Sequence, residues 1–284
     1  MNILCFGEIL WDVYPDKAVI GGAALNFAGH FVKNGGKAYM LSSVGDDKLG
    51  DDAIKVVKEL GINTRYISVD DRQTGKCLVT LGSNGIPKYD LLDNVAYDFI
   101  GGEIRDKFDA IYFGTLALRN EFNRFSLKKV LKENSFKEVF CDVNIRAPFY
   151  SEYSVKFCAE NATVIKVSDE ELPIVCKILL NEELDYKTAA RNIAQKYQNL
   201  KVVIITLGAK GAYIFNAQKG EECEQAAPET EVVSTVGAGD SFSAAFMYKY
   251  MLGEKIEVCL ERAIKVSAFV VANLEAVPDY PKNF

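Results

Sequence analysis

Short apolar runs alternate with helical patterns along most of this chain, and this alternation constrains its fold more than any other feature. The runs are rich in β-branched and aromatic residues, and they are separated by stretches whose apolar residues recur at helical spacing. Six runs are predicted to be strands: NILCFG, AYMLSSVG, AIYFG, VFCDVN, TVIKVS and VVIITLG. Strands that alternate with helices predict an α/β fold, with a mainly parallel sheet covered by helices on both faces.

Two segments interrupt this rhythm. Residues 11–20, WDVYPDKAVI, follow the first strand as a short excursion, and residues 75–92 contain two alternating runs separated by SNG, a hairpin-turn signal. An antiparallel flap beside a parallel sheet is a candidate lid, although a surface excursion without function gives the same pattern. We expect one domain over residues 1–284, with a small β-lid formed by about 11–20 and 75–97.

The net charge and the cysteines narrow the class of protein. The net charge is −6 and no basic cluster is present, which argues against nucleic acid as a partner. The seven cysteines include no CxxC pair, and the amino terminus MNILCFGEIL lacks the features of a secretory signal. No apolar run approaches the roughly 18 residues that a membrane helix needs. We expect a cytoplasmic protein that acts on small molecules, without nucleic acid or membrane as partners.

The stretch STVGAGDSF, residues 234–242, places two glycines and an aspartate before an apolar helical pattern. The first amides of a helix are unpaired and carry partial positive charge, and Gly237 and Gly239 allow a ligand to approach the backbone closely. This arrangement suits a phosphoryl group. Asp240 is a candidate base for a hydroxyl, and Thr235 could bind phosphate, but a capped helix start has the same pattern. No Walker lysine and no GxGxxG are present.

Two further clusters contain residues suited to a sugar. In GGAALNFA, residues 21–28, Gly21 and Gly22 suit a hinge, and Asn26 can both donate to and accept from a polyol. Asp12 lies just after a predicted strand, at the edge where open α/β sheets bind ligands. A glycine-led helix start and a solvated loop acid are the alternative interpretations. His30, the only histidine, falls inside a predicted helix and is interpreted as structural.

These clusters, in this order, resemble the signatures of the PfkB, or ribokinase-like, carbohydrate kinases over essentially the whole chain. GGAALNFA and VGDDKLG look like the amino-terminal signature, and TVGAGDSF looks like the carboxyl-terminal one. GEILWDVYPD and DVNIRAPFY look like the fructokinase branch in particular. The resemblance implies a three-layer α/β/α sandwich with a mainly parallel sheet of about nine strands. It also implies a small β-lid that closes over the sugar and can form a homodimer contact.

The resemblance also implies roles for single residues. Asp240 matches the catalytic base, which takes the proton of a primary sugar hydroxyl as it attacks the γ-phosphate of ATP, beside an anion hole of Gly237, Ala238 and Gly239. The positions implied to bind the sugar are Asp12, Gly21, Gly22, Asn26, Arg119 and Arg146. The positions implied to bind the nucleotide are Lys166, Thr206, Gly208, Gly211, Thr235, Gly237, Gly239 and Val271. Glu171 matches an acid that orders Mg²⁺ through water.

Two positions depart from the family pattern. Ser234 stands where an aspartate commonly helps to hold a monovalent cation, so ATP and Mg²⁺ are implied and a monovalent cation is not. Ser168 stands where an asparagine usually accompanies the acid near Mg²⁺. The expected function is an ATP-dependent sugar kinase with D-fructose as substrate. Ribose, another ketose or a keto-deoxy sugar acid stays open, as does a sugar-binding or regulatory protein with weakened catalysis on the same fold.

Overall fold

A computed structural model describes residues 1–81, 87–282 and 284. The described residues contain thirteen strands: β1 (Asn2–Phe6), β2 (Leu10–Val13), β3 (Ala18–Gly21), β4 (Lys37–Gly45), β5 (Asn63–Asp70), β6 (Gly75–Leu81), β7 (Pro87–Leu91), β8 (Ala110–Gly114), β9 (Glu138–Asp142), β10 (Val164–Ser168), β11 (Val202–Thr206), β12 (Ala212–Asn216) and β13 (Glu221–Gln225). They also contain eight α-helices: α1 (Ala23–Lys33), α2 (Lys48–Glu59), α3 (Glu121–Glu133), α4 (Glu152–Asn161), α5 (Leu172–Leu179), α6 (Tyr186–Lys196), α7 (Ala238–Met251) and α8 (Ile256–Val271).

Nine strands form one sheet in the order β13-β12-β11-β10-β9-β8-β1-β4-β5. The seven strands from β11 to β5 are parallel, and β12 and β13 extend the sheet antiparallel. All six runs that the sequence predicts as strands lie in the parallel part. The mainly parallel α/β fold is therefore confirmed, with β5 as the seventh parallel strand.

Helices cover both faces of this sheet and bury two separate apolar cores. Along β1, Leu4 and Phe6 belong to one core, whereas Ile3 and Cys5 belong to the other, because successive strand side chains point to opposite faces. The ring of Phe27 in α1 stacks on a β8 ring, with the two centroids 3.9 Å apart. Burial of such a ring contributes about 1.5–3 kcal/mol. This packing fixes the start of α1 above the sheet.

The two predicted excursions form one four-stranded sheet in the order β3-β2-β6-β7. The expected antiparallel flap is present, because β6 pairs antiparallel with β7, and β2 pairs antiparallel with β3. The central pair β2–β6, which joins the two segments, is parallel. The second predicted segment, about 75–97, contains β6 and β7. Its last strand stops at Leu91, and a 3₁₀ turn at Ala96–Phe99 follows. The SNG turn, residues 83–85, lies outside the described residues.

The VGDDKLG segment connects the two sheets. The Asp47 carboxylate accepts a hydrogen bond from the Gly50 amide at the start of α2, and its other oxygen accepts one from the Thr74 amide just before β6, both at 2.8 Å. A Cβ on Gly45 would lie 2.5 Å from the same Thr74 amide. The four-stranded sheet is further fixed by Trp11, whose indole donates to the Leu49 carbonyl at 3.0 Å. This signature is therefore explained by close packing at the base of the smaller sheet.

The helices and the cysteines bear on the cellular location expected from the sequence. Within the described ranges, no helix combines the length and the apolar character that a membrane crossing requires. All seven cysteines are free, and only Cys223 is more than slightly exposed. The cytoplasmic location stays a prediction.

Candidate active site

A crevice of about 340 Å³ opens at the carboxyl ends of β9, β10 and β11, facing the start of α7 and one side of α8. Adjacent parallel strands bring their carboxyl ends to one edge of a sheet, which is where open α/β folds bind ligands. Eight of the residues predicted from the sequence line it: Arg146, Lys166, Glu171, Thr206, Gly208, Gly211, Ala238 and Gly239. The structure therefore brings together four segments that are separate in the sequence.

Asp240 lies in the first turn of α7, where its Oδ2 accepts a 2.8 Å hydrogen bond from Nδ2 of Asn26. Burial raises the pKa of Asp240 to about 7. The Asn26 bond opposes this shift, the Asp142 charge adds to it, and the Arg146 and Lys166 charges oppose it. A carboxylate with a pKa near neutrality can hold or release a proton under ordinary conditions. The Asp240 carboxyl group can therefore exchange a proton near neutral pH.

The loop before α7 leaves backbone amides open. Gly237 caps the helix with φ +80°, and a Cβ there would lie 2.4 Å from the Ala276 carbonyl oxygen, so this position requires glycine. The amide of Ala238 donates to the carbonyl of the exposed Thr235 at 3.3 Å. Within the described part of the chain, the amides of the next two residues have no acceptor. Free amides at a helix start bind anions.

The start of α1 holds a second group of carboxylates. Gly22 has φ +116°, and a Cβ there would lie 2.4 Å from the Glu8 carbonyl oxygen. The Glu8 carboxylate accepts a 2.8 Å hydrogen bond from the Ala23 amide and so caps the helix. A Cβ on Gly21 would lie 3.4 Å from Oδ2 of Asp12. The two glycines thus lie directly against the two acids, and burial raises the pKa of both carboxyl groups.

Glu8 was not singled out from the sequence. Its position in GEIL, directly after the first strand, could have indicated a role, because a buried acid at the end of a strand needs a hydrogen-bond partner. Asp12, Gly21, Gly22 and Asn26 do not line the crevice themselves. Gly237 and Asp240 do not line it either, although their neighbours Ala238 and Gly239 do. Asn26 is joined to this segment by its hydrogen bond to Asp240.

The two predicted arginines lie in different environments. Arg119 forms a buried two-point ion pair with Asp98, with nitrogen–oxygen distances of 2.7 and 2.8 Å, and also donates to the Leu92 carbonyl. Its guanidinium lies over the rings of Tyr97 and Phe149. Arg119 therefore secures the segment around the 3₁₀ turn and does not line the crevice.

Arg146 is exposed and lines the crevice. Within the described residues, its guanidinium forms no hydrogen bond or ion pair. Its positive charge lowers the pKa values of Asp12, Glu8 and Asp240 against the larger effect of burial. It is the cation of the site that is free to contact a ligand.

Glu171 is held at the rim by two backbone amides. Its two oxygens accept hydrogen bonds from the Ile145 amide at 2.6 Å and the Ser168 amide at 2.8 Å. The Ser168 hydroxyl accepts a 3.3 Å bond from the Glu171 amide, so the serine preserves the turn. Among the residues that the structure describes, no three His, Cys, Asp or Glu side chains cluster to hold a metal ion.

The nucleotide positions predicted after β11 form a tight turn. Gly211 has φ +100°, and a Cβ there would lie 1.9 Å from the Gln225 carbonyl oxygen, so its glycine is required by packing. Gly208 has φ +56° and open space around it, beside Thr206 at the end of β11. Val271 does not line the crevice; its carbonyl accepts bonds from the amides of residues 233 and 234. Residues 264, 267 and 268 line the crevice on that side.

A nine-stranded sheet between two helix layers, accompanied by a small four-stranded sheet, defines an α/β/α protein of the ribokinase-like class. The chain belongs to the pfkB family of carbohydrate kinases, because the family model described as "pfkB family carbohydrate kinase" matches residues 5–283. The resemblance inferred from the signatures is thereby confirmed.

Relatives of known name agree with this assignment. Fructokinase-2 of Oryza sativa subsp. japonica is 26% identical, over 98% of this chain and 90% of its own length. The ATP-dependent 6-phosphofructokinase of Thermoanaerobacterium thermosaccharolyticum is 25% identical, over 99% of this chain and 91% of its own. Both are similar to this chain over nearly its whole length.

Two solved structures confirm the fold. Fructokinase from Vibrio cholerae, in a form with fructose, ADP and calcium ion bound, has a TM-score of 0.83 at 20% identity and covers 98% of this chain and 95% of that one. Aminoimidazole riboside kinase from Salmonella enterica has a TM-score of 0.82 at 21% identity and covers 99% of this chain and 97% of that one.

Proposed function

We propose that this carbohydrate kinase transfers the γ-phosphoryl group of ATP to a primary hydroxyl of D-fructose, with Asp240 as the general base. The observation that carries this proposal is one juxtaposition at the start of α7. A carboxyl group whose pKa burial raises to about 7 lies beside backbone amides that have no acceptor among the described residues. Named relatives that are fructokinases favour fructose among the possible sugars.

In the proposed reaction, Asp240 accepts the proton of the sugar hydroxyl, whose oxygen attacks the γ-phosphorus. The new oxygen–phosphorus bond forms as the bond to the β,γ-bridging oxygen breaks, and ADP leaves. Asn26 orients the carboxylate, because its Nδ2 holds one oxygen of Asp240 at 2.8 Å and leaves the other free. The amides of Gly239 and Asp240 donate to the phosphoryl oxygens as negative charge develops there.

The phosphates of ATP would lie along the crevice from Thr206, Gly208 and Gly211 to Gly239. A Mg²⁺ ion bound with the nucleotide would supply positive charge that offsets the charge of the phosphates. Glu171 fits this ion through water, because its fixed carboxylate lines the crevice and Mg²⁺ retains several waters. We assign it no direct metal bond.

The sugar would bind between the smaller sheet and α1, next to Gly21 and Gly22. The Asp12 carboxylate would accept hydrogen bonds from two sugar hydroxyl groups. Exclusion of water by the smaller sheet would protect ATP from hydrolysis. A homodimer through that sheet stays a prediction. Arg146 favours a second candidate substrate, a keto-deoxy sugar acid, because a free guanidinium can pair with a carboxylate.

The test is ADP release from ATP and Mg²⁺ with D-fructose, D-ribose, fructose 6-phosphate and a keto-deoxy sugar acid. Fructose should give the highest kcat/KM. The highest value with the sugar acid would support the second candidate. Calorimetric sugar binding without turnover for any of the four would instead support a sugar-binding protein that has lost catalysis.

A further inference from the structure

A buried ion pair lies directly beneath the anion-binding loop. Nζ of Lys166 in β10 lies 2.8 and 2.9 Å from the two carboxylate oxygens of Asp142, the last residue of β9. The two residues are register partners in adjacent parallel strands, so their side chains emerge on the same face. Their side chains are only 6% and 1% exposed. Burial at this level keeps water from screening the pair.

The pair is tied to α7 at a third point. The hydroxyl of Ser243, which is fully buried, donates to Oδ2 of Asp142 at 2.9 Å. Ser243 lies four residues after Gly239, and therefore on the same side of the helix one turn later. A Cβ on Gly239 would lie 3.5 Å from Nζ of Lys166, so the ammonium group lies next to the loop. Lys166 also lines the crevice.

The ammonium group is held in its charged form. Burial alone would lower the pKa of Lys166, but the negative charges of Asp142 and Glu171 outweigh it and raise the pKa. A fixed positive charge in a poorly solvated site stabilises developing negative charge more strongly than a mobile surface lysine does. Because Lys166 is already ordered, no reorganisation is needed when a phosphate arrives.

We propose that Asp142 is a positioning residue that, together with Ser243, fixes Lys166 under Gly239 so that its ammonium group stabilises the transferring phosphoryl group. This inference rests on the proposed kinase reaction and adds an electrostatic element that the loop amides do not supply. Lys166 contacts the phosphate region, whereas Asp142 and Ser243 act through Lys166. The GAGD loop and the sheet then act as one preformed site.

Three variants of the Asp142–Lys166 pair test this role through their kcat and their KM for fructose. Asp142→Asn and Lys166→Met should each lower kcat by about 10²-fold, with the KM for fructose changed less than about threefold, because the charge acts on the transferring group. Each single change leaves a buried charge unpaired and could prevent folding. The double variant Asp142→Asn/Lys166→Met removes both charges, should fold, and should not recover kcat.

The pH profile provides a readout that a purely structural role would not change. Asp142 raises the pKa of Asp240 and Lys166 lowers it. Asp142→Asn should therefore move the acidic limb of kcat to lower pH, and Lys166→Met should move it to higher pH. The groups that face Asp240 from the surrounding elements are Asn26 of α1, Tyr112 of β8, Asp142 of β9, Arg146 after β9 and Lys166 of β10.

Glu138→Gln is the matched control, because Glu138 begins the strand that Asp142 ends and is paired with Lys201 at 2.8 Å. It should leave kcat and the pH limb unchanged. Equal limb positions in the two single variants, or wild-type kcat in the double variant, would overturn the proposal.

Failure of the kinase reaction itself is distinguishable by nucleotide binding. If the wild type turned over no sugar, the proposal would be decided by calorimetry with a β,γ-imido analogue of ATP and with AMP. The double variant should bind the analogue at least about tenfold more weakly than the wild type, with AMP unchanged. Equal binding of the analogue by the double variant and the wild type would overturn the role of Lys166.

Discussion

Asn26 and Asp240 are separated by 214 positions in the sequence and are joined by a 2.8 Å hydrogen bond between the first turns of α1 and α7. The bond connects the segment that contains the predicted sugar residues to the segment that contains the open amides. It also favours the charged form of Asp240 against the effect of burial. The position and the acidity of the proposed base therefore depend on one amide side chain.

Removal of that amide should change the pH dependence of catalysis. In the wild type, kcat should rise about tenfold per pH unit up to about pH 7, where Asp240 loses its proton, and then level off. Asn26→Ala removes a hydrogen bond to the charged carboxylate, and such a bond contributes about 1.5–3 kcal/mol. The rising limb of the kcat–pH profile should therefore move about one pH unit or more to higher pH. Asn134→Ala, at the end of α3, is the control. An unchanged limb in Asn26→Ala would contradict the assignment of the limb to Asp240.

The raised pKa of Asp240 also predicts a pH-dependent stability. The folded state favours the protonated carboxyl, so this contribution to stability is complete below about pH 4 and is lost as the pH rises through about 7. Asp240→Asn keeps the shape and removes the charge. By urea unfolding at about pH 8 it should be more stable than the wild type by on the order of 4 kcal/mol, and nearly equal at about pH 4.

The exposed Asp71→Asn should show no such trend. A constant difference between Asp240→Asn and the wild type across this pH range would show that the folded state does not shift the pKa of Asp240.

Gly237 and Gly253 form a matched pair for the anion loop. Both have φ +80°, but a Cβ on Gly237 would lie 2.4 Å from the Ala276 carbonyl oxygen, whereas nothing lies within 4 Å of one on Gly253. Gly253→Ala should cost only the left-handed backbone penalty of about 1–2 kcal/mol, and it should keep kcat. Gly237→Ala should cost more and should lower kcat at least about tenfold by displacing the amides. Equal effects of the two changes on unfolding and kcat would contradict the close packing.

Ser234 predicts indifference to potassium. Its hydroxyl accepts a 3.3 Å bond from the Val236 amide, and it supplies no carboxylate. Replacement of potassium by a bulky organic cation at equal ionic strength should change kcat/KM less than about twofold, an effect within ordinary screening. Ser234→Asp adds the missing charge and should introduce a dependence on potassium. Strong activation of the wild type by potassium would contradict this account.

The fold could be predicted from local patterns, but the site only in part. Six strands of the parallel sheet are apolar runs that can be recognised from the sequence alone. The glycine-rich signatures contain Gly22 and Gly237, where φ is positive. The parallel pairing of β2 with β6 has no local signal, because the two strands are far apart in the sequence. The partnership of Asp142 with Lys166 and the capping role of Glu8 depend on the three-dimensional neighbourhood. The sequence motifs therefore predicted the GAGD loop, whereas the ion pair beneath that loop could be found only from the structure.

The most direct test of the account is ADP release with D-fructose by the wild type and by Asp240→Asn, with sugar binding measured in parallel by calorimetry. The account predicts a loss of at least about 10³-fold in kcat for the variant, with sugar affinity changed less than about threefold, because the base acts on the proton and not on binding. Turnover by Asp240→Asn within about tenfold of the wild type would contradict the assignment of Asp240 as the general base.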